Sequence, residues 1–262
     1  MQKFKKYIGL WLILAVGLIA VTVISFLDDI KIGDFTLKKA PVKETLLAQR
    51  EGEDSLSTAS KDDIVDEKKN EVDSLPQSLL IIGDSMTWNL ALRLAEYAEA
   101  NGHQIHTINW DSSNTKIWVE SDTLQYFIKK YNATYIFISL GANELYLKKP
   151  DSHKKYVQEI IGKTGGLPYI WIGPPNWKED TGLNDMIASA CAPGTFFRTE
   201  GMSFKRRKDG IHPTKESSAL WMDSVIRLMP KSAHPILMNL PPDTMKIDTH
   251  RKANITILQP KK

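Results

Sequence analysis

Leu79-Leu80-Ile81-Ile82-Gly83-Asp84-Ser85-Met86 decides how the rest of the chain is read. Four apolar residues in a row, rich in branched chains, predict a fully buried strand. Gly83 ends the run with backbone freedom that other residues lack, and Asp84 and Ser85 follow at once. Residues 86–100 predict a helix, because Ala91, Leu94, Ala95 and Ala98 fall at i, i+3, i+4 and i+7. Gly102 stands where a C-terminal cap belongs. A serine on such a strand-to-helix turn lies at the carboxyl edge of a sheet, with the free N–H groups of a helix aimed at it. That position suits a nucleophile, since those groups stabilise an oxyanion. A plain N-cap serine is the other reading of the same turn.

From Ser78 onward the pattern alternates strand and helix. Residues 104–110, 133–140 and 168–172 read as strands, and the last two end at Gly141 and Gly173. Residues 121–131, 151–163, 183–192 and 214–229 read as helices. In the last of these, Thr214 is a candidate N-cap, and Trp221, Met222, Val225, Leu228 and Met229 form an apolar face. Strands separated by helices predict a parallel sheet covered on both faces, with sites beyond the carboxyl ends of its strands. Residues 231–262 hold Pro241, Pro242 and Pro260 and read as a tail that either wraps the domain or is loose.

The N-terminus reads differently. Lys3, Lys5 and Lys6 precede residues 7–27, an uncharged apolar run long enough to cross a bilayer as a helix, closed by Asp28 and Asp29. The lysines place the N-terminus in the cytoplasm and the remainder outside, in the periplasm or at the cell surface. A retained anchor fits better than a cleaved signal peptide, whose apolar core is shorter and which ends in a small-residue cleavage site. Residues 30–37 alternate weakly, as a short strand does. Residues 48–74 are dense in Glu, Asp, Lys and Ser without an aromatic residue, and so bury too little to offset ordering entropy. The expected organisation is therefore a stub and anchor at 1–29, a flexible charged linker at 30–77, a catalytic domain at 78–230 and a tail at 231–262. Across 262 residues the net charge is only +3, and no basic stripe with interleaved aromatics points to nucleic acid. Cys191, the single cysteine, rules out an intramolecular disulfide or a cysteine zinc site and reads as a small buried apolar residue. No cofactor or metal is expected, and protein partners are unspecified.

A nucleophilic serine needs a base, and the base needs an orienting acid. Asp209-Gly210-Ile211-His212-Pro213-Thr214 supplies both, three residues apart on a turn made by Gly and stiffened by Pro, just before the last helix. Taken singly, His212 is a surface histidine and Asp209 a turn former. Beside Gly83-Asp84-Ser85 they make a set. Over roughly residues 78–229 the chain resembles the SGNH hydrolases, also called GDSL-type esterases and lipases. That resemblance rests on Gly83-Asp84-Ser85, Gly141-Ala142-Asn143-Glu144 and Asp209-Gly210-Ile211-His212, in this order and at the ends of predicted elements. It implies a flavodoxin-like three-layer α/β/α sandwich with a parallel sheet. It also implies Ser85 as nucleophile, His212 as general base and Asp209 as its orienter. The Ser85 N–H and the Asn143 side chain would belong to the oxyanion hole.

Two departures from the family pattern stand out. Glu144 replaces the usual Asp. The loop that normally carries an oxyanion glycine is Asp111-Ser112-Ser113-Asn114-Thr115, so Ser113 or Ser112 takes that place, with Ser113 the expected donor. Trp88 and Trp177 are candidate aromatic faces for a sugar, as is Trp118, although tryptophan is as often core. Lys205-Arg206-Arg207-Lys208 either attracts an anionic glycan or forms a solvated loop. Asn132-Ala133-Thr134 and Asn254-Ile255-Thr256 match the glycosylation pattern, which matters only in a eukaryotic secretory route. Topology and resemblance together imply an outward-facing serine esterase, a carbohydrate O-acetylesterase of envelope polysaccharide. A polysaccharide O-acetyltransferase of the same fold and a non-catalytic glycan-binding or scaffold protein are the alternatives.

Overall fold

In the computed structural model the described residues are 30–32, 35–37, 71–239 and 253–259. The expected membrane span at 7–27, most of the expected linker and residues 240–252 of the tail lie outside them. Among the described residues no helix is long and apolar enough to cross a membrane. The chain divides into two units, residues 1–66 and 67–262. In the first, β1 (Ile30–Ile32) pairs antiparallel with β2 (Phe35–Leu37), Ile30 opposite Leu37.

The second unit is mixed α/β. Its strands are β3 (Ser78–Gly83), β4 (Gln104–Trp110), β5 (Tyr135–Ser139), β6 (Tyr169–Ile172), β7 (Phe196–Phe197) and β8 (Ile255–Leu258). They form one sheet in the order β7-β6-β5-β3-β4-β8, and every pairing is parallel. The helices are α1 (Thr87–Ala100), α2 (Thr115–Val119), α3 (Thr123–Tyr131), α4 (Lys154–Lys163), α5 (Leu183–Ala190) and α6 (Lys215–Leu228). The order of β3 to β7 is consistent with a flavodoxin-like sheet, whose chain reversal falls between its first and third strands. Here that point lies between β3 and β5, where the Ser85 turn emerges.

Side chains of a strand alternate between faces, and β3 shows it directly. Leu79 and Ile81 join Leu90, Trp221 and Met222 under α1 and α6, whereas Leu80 and Ile82 join Phe127, Val157 and Ile187 under α3, α4 and α5. All four are fully buried. Of the apolar face read for the last helix, Trp221, Met222, Val225 and Met229 are buried but Leu228 is 46% exposed, and the Thr214 hydroxyl caps the helix by accepting from the Ser217 N–H. α1 also buries charge. Arg93 and Glu96 are nearly inaccessible and pair with each other, while Arg93 Nε reaches Asp223 Oδ1 of α6 at 2.7 Å. The Tyr97 hydroxyl donates to that same oxygen at 2.8 Å.

Three elements were not expected. α2 is capped by Asn114, whose side chain accepts from the Ile117 N–H. β7 has only two residues. β8 comes from the segment read as a tail and pairs with β4, Thr107 opposite Ile255 and Trp110 opposite Leu258. Residues 71–77, assigned to the linker, also dock on this unit. Asp73 bridges Ile236, and the Gln77 N–H donates to His103 Nδ1 at 3.0 Å. The sheet-bearing unit thus uses residues on both sides of the expected 78–230 limits.

Candidate active site

β3 ends in a turn tied down from several directions. The Asp84 N–H donates to the Ser139 carbonyl at 3.2 Å, and the Thr87 N–H donates back to the Asp84 carbonyl at 3.0 Å. Asp84 itself is buried, with Oδ1 accepting from the Met86 N–H at 3.0 Å and Oδ2 from the Ala142 N–H at 3.3 Å. One carboxyl therefore joins the Ser85 turn to the Gly141–Asn143 turn. Ser85 is left half-exposed at the rim, and it does not cap α1, whose N-cap is Met86.

The opposing loop is a narrow hairpin. Arg206 bridges Pro213, the Arg207 N–H donates to the His212 carbonyl at 2.8 Å, and the Thr214 N–H donates to the Lys205 carbonyl at 2.8 Å. Its tip closes at Gly210, whose φ of 69° is one that residues with a Cβ seldom take. Asp209 Oδ1 accepts from the Ile211 and His212 N–H groups at 2.8 and 2.9 Å, and Oδ2 faces His212 Nδ1 at 3.0 Å. Those two amides, with His212 beside them, hold the Asp209 carboxyl down at about 2, so it is ionised at neutral pH. An ionised carboxylate only accepts, so Nδ1 carries the proton of the neutral imidazole. Nε2 is then the acceptor, and it stands 2.8 Å from Ser85 Oγ. The three side chains read from separate motifs are brought together in one chain of hydrogen bonds.

The oxyanion side needs one change. The Ser113 N–H, expected as a donor, is turned inward to the Trp110 carbonyl at 3.1 Å, and Ser113 is fully buried with its hydroxyl accepting from the Trp118 indole N–H. Ser112 has a φ of 58° and is exposed beside Ser85. A positive φ is what glycine adopts without cost, so Ser112 holds a backbone state that glycine favours. Among the described residues neither the Ser112 nor the Ser85 N–H has a hydrogen-bond acceptor. Asn143 is exposed and gives one amide N–H to the Ser113 carbonyl at 2.9 Å, leaving the second to donate. Glu144 is buried and accepts from the Thr115 hydroxyl at 2.5 Å and the Thr115 N–H at 3.2 Å. It thereby fastens the start of α2, and so the serine loop, to the Asn143 turn. Burial raises its pKa against those bonds.

The aromatic candidates separate. Trp88 is 39% exposed and lies beside Ser85. Trp118 is core. Trp177 gives its indole N–H to the Ala142 carbonyl at 3.1 Å and packs on both hydrophobic clusters, so it supports the Asn143 turn instead of offering a free face. The basic run separates too. Arg206 is spent on the carbonyls of Ile211, Pro175 and Asn176, whereas Arg207 faces the site. Burial pushes the Cys191 thiol up to about 12, which suits an inert packing residue. Sequence reasoning missed Asn109 at the end of β4, which lines the same rim. Only the register of β4, which sets Asn109 opposite Gly83, shows that it reaches this rim.

Burial pushes the Asp84 carboxyl up to about 7, and the Met86 and Ala142 amides oppose the rise. The native state therefore holds a proton that the unfolded chain has released once pH passes the ordinary carboxylate value. Stability is expected to fall as pH rises from about 4 to about 7, at up to roughly 1.4 kcal/mol per pH unit. Urea unfolding across that window checks this. Asp84→Asn should flatten the slope, and an unchanged slope would rule Asp84 out as its source.

An α/β sheet with a serine, histidine and aspartate in hydrogen-bonded series at its reversal point is the class of protein these features define. No family model matches the chain, and no curated protein matches it in sequence. Among solved structures, a family 3 carbohydrate esterase of Clostridium thermocellum superposes with a TM-score of 0.45 at 11% identity, over 58% of this chain and 94% of that one.

Proposed function

We propose that the chain is a membrane-anchored extracytoplasmic serine esterase that removes acetyl groups from envelope polysaccharide by way of an acyl-enzyme at Ser85. The observation that carries this reading is the series Ser85 Oγ–His212 Nε2 at 2.8 Å and His212 Nδ1–Asp209 Oδ2 at 3.0 Å. Ser85 Oγ attacks the ester carbonyl as His212 Nε2 takes its proton, and ionised Asp209 stabilises the imidazolium. The oxyanion accepts N–H groups from Ser85, Ser112 and Asn143. The alkoxide leaves with the proton from His212, and a water activated by the same nitrogen releases the acid. The apolar run at 7–27 would hold this chemistry at the outer face of a membrane, with the charged linker as its tether.

Active-site labelling tests the reading. A fluorophosphonate probe should form one adduct, on the peptide containing Ser85, and a small aryl acetate should protect against it. Folded protein that stays unlabelled at Ser85 would favour the binding-protein alternative.

A further inference from the structure

A second recess adjoins the one that α6 forms beside Ser85. It has a volume of about 500 Å³, within the range of small-molecule sites. Trp88, Arg207, Ser85 and His212 border both recesses, while Asn109, Asp111, Ser112 and Gln259 belong to this one. Asn109 is 2% exposed, and its Oδ1 has no hydrogen-bond partner among the described residues. The amide cannot be turned round to cure this. Its other end donates to Asp111 Oδ1 at 2.7 Å, and a carboxylate accepts only from the nitrogen. That oxygen has essentially no exposed surface, so Asn109 meets the recess through the bond that holds Asp111 in place. The second unusual feature is the origin of Gln259. It lies one residue beyond β8, and the parallel pairing of β8 with β4 delivers it to the carboxyl edge beside Asp111, where Nε2 stands 3.4 Å from Asp111 Oδ2.

We infer that this recess holds a sugar ring on the alcohol side of the ester, with Asp111 and Gln259 reading its hydroxyls and Asn109 positioning Asp111. This rests on the esterase reading above and adds the uncharged character of the saccharide and the contribution of the C-terminal strand. The lining offers an acceptor in the Asp111 carboxylate, which the Asn109 amide holds in place, and donors in the Gln259 amide and the Arg207 guanidinium. A hydroxyl is both donor and acceptor, so a polyol satisfies such a mixed set. A polyanion would meet Arg207 but also Asp111, which selects a neutral saccharide. Trp88, open at the rim, supplies a flat apolar face for the ring.

Binding and turnover test it separately. Full-length Ser85→Ala protein is titrated calorimetrically with neutral xylo-, cello- and chito-hexaose and with hexagalacturonate. At least one neutral hexamer should bind, and adding Gln259→Ala or Asp111→Ala should weaken it by about five- to tenfold. Gln259 is exposed, so its truncation does not threaten folding. In the chain with Ser85 intact, the same substitutions should lower kcat/KM for an acetylated oligosaccharide at least about fivefold more than for an aryl acetate, whose leaving group has no hydroxyls to read. The inference is overturned if no neutral hexamer binds, if the galacturonate binds best, or if binding is indifferent to Gln259 and Asp111. It is also overturned if both ester types suffer alike. Loss of the esterase reading would show itself differently, as wild-type protein that binds sugar but turns over neither ester.

Discussion

Ser85→Ala should lower kcat on an aryl acetate by about 10⁴- to 10⁶-fold while leaving the fold intact. The magnitude is that of a nucleophile removed from a serine–histidine unit in a known enzyme, where residual rate comes from the oxyanion donors and binding alone. The geometry adds a sharper expectation. Ser85 and His212 act through one proton path, so His212→Ala should cost about as much as Ser85→Ala, and the double variant should lose little more than either. Asp209→Asn should cost about 10⁴-fold, because an amide in that place sets the wrong imidazole tautomer. Steady-state rates of the three single variants and the double, each with its melting curve, make the measurement. Full additivity of the Ser85 and His212 losses would mean that the two side chains do not work together. Undiminished turnover in Ser85→Ala would place the chemistry elsewhere.

The largest stability effect is expected at Gly83. A Cβ there would lie 2.0 Å from the Ser139 carbonyl oxygen and 2.3 Å from Thr87 Oγ1. The first neighbour is backbone of β5, bonded in register to β3, so it cannot swing aside. The second is the first residue of α1. Gly83→Ala must part the two central strands or displace the helix, and the cost should be about 3–5 kcal/mol. Against a total of roughly 5–15 kcal/mol for a domain, that is about a fifth of the stability or more. Chemical denaturation should show a much lower midpoint with an unchanged slope. A midpoint equal to that of the parent would show that the two strands can separate at this point at little cost. Activity should fall as well, since any movement of β3 carries Ser85 with it.

Much of this was legible before any coordinates, for reasons that differ by element. The Leu79–Ile82 run is apolar on both faces because β3 is central and covered twice, and such a strand announces itself. Asp209 and His212 were legible because three residues of separation let them meet locally. What escaped notice depended on backbone torsion or on distant pairing. Nothing in the letters Ser112-Ser113 says which serine takes a positive φ, and the choice reverses which amide is turned inward. Ile255-Thr256-Ile257-Leu258 is rich in β-branched residues, yet its partner strand lies about 150 positions earlier, and Pro241 and Pro242 drew attention to irregular structure instead. β7 is too short for any periodicity. Trp177 looked like Trp88 in sequence, and only the acceptor at Ala142 tells a supporting indole from a free one.

In the proposed esterase, the buried charges of α1 and α6 would bear on rate as much as on folding. α1 leads away from Ser85 and α6 leads away from His212, so the seam locked by Arg93 and Asp223 fixes from within how far apart the two reacting atoms stand. A helix rises about 1.5 Å per residue, and misplacing reacting groups by about 1 Å can cost on the order of 10²-fold. Oily side chains of matching volume can replace such a cluster without loss of stability, but they slide where directional bonds do not. Thermal robustness and catalytic tempo are therefore separable quantities at this seam, and a chain repacked there for toughness would be free to drift out of tune.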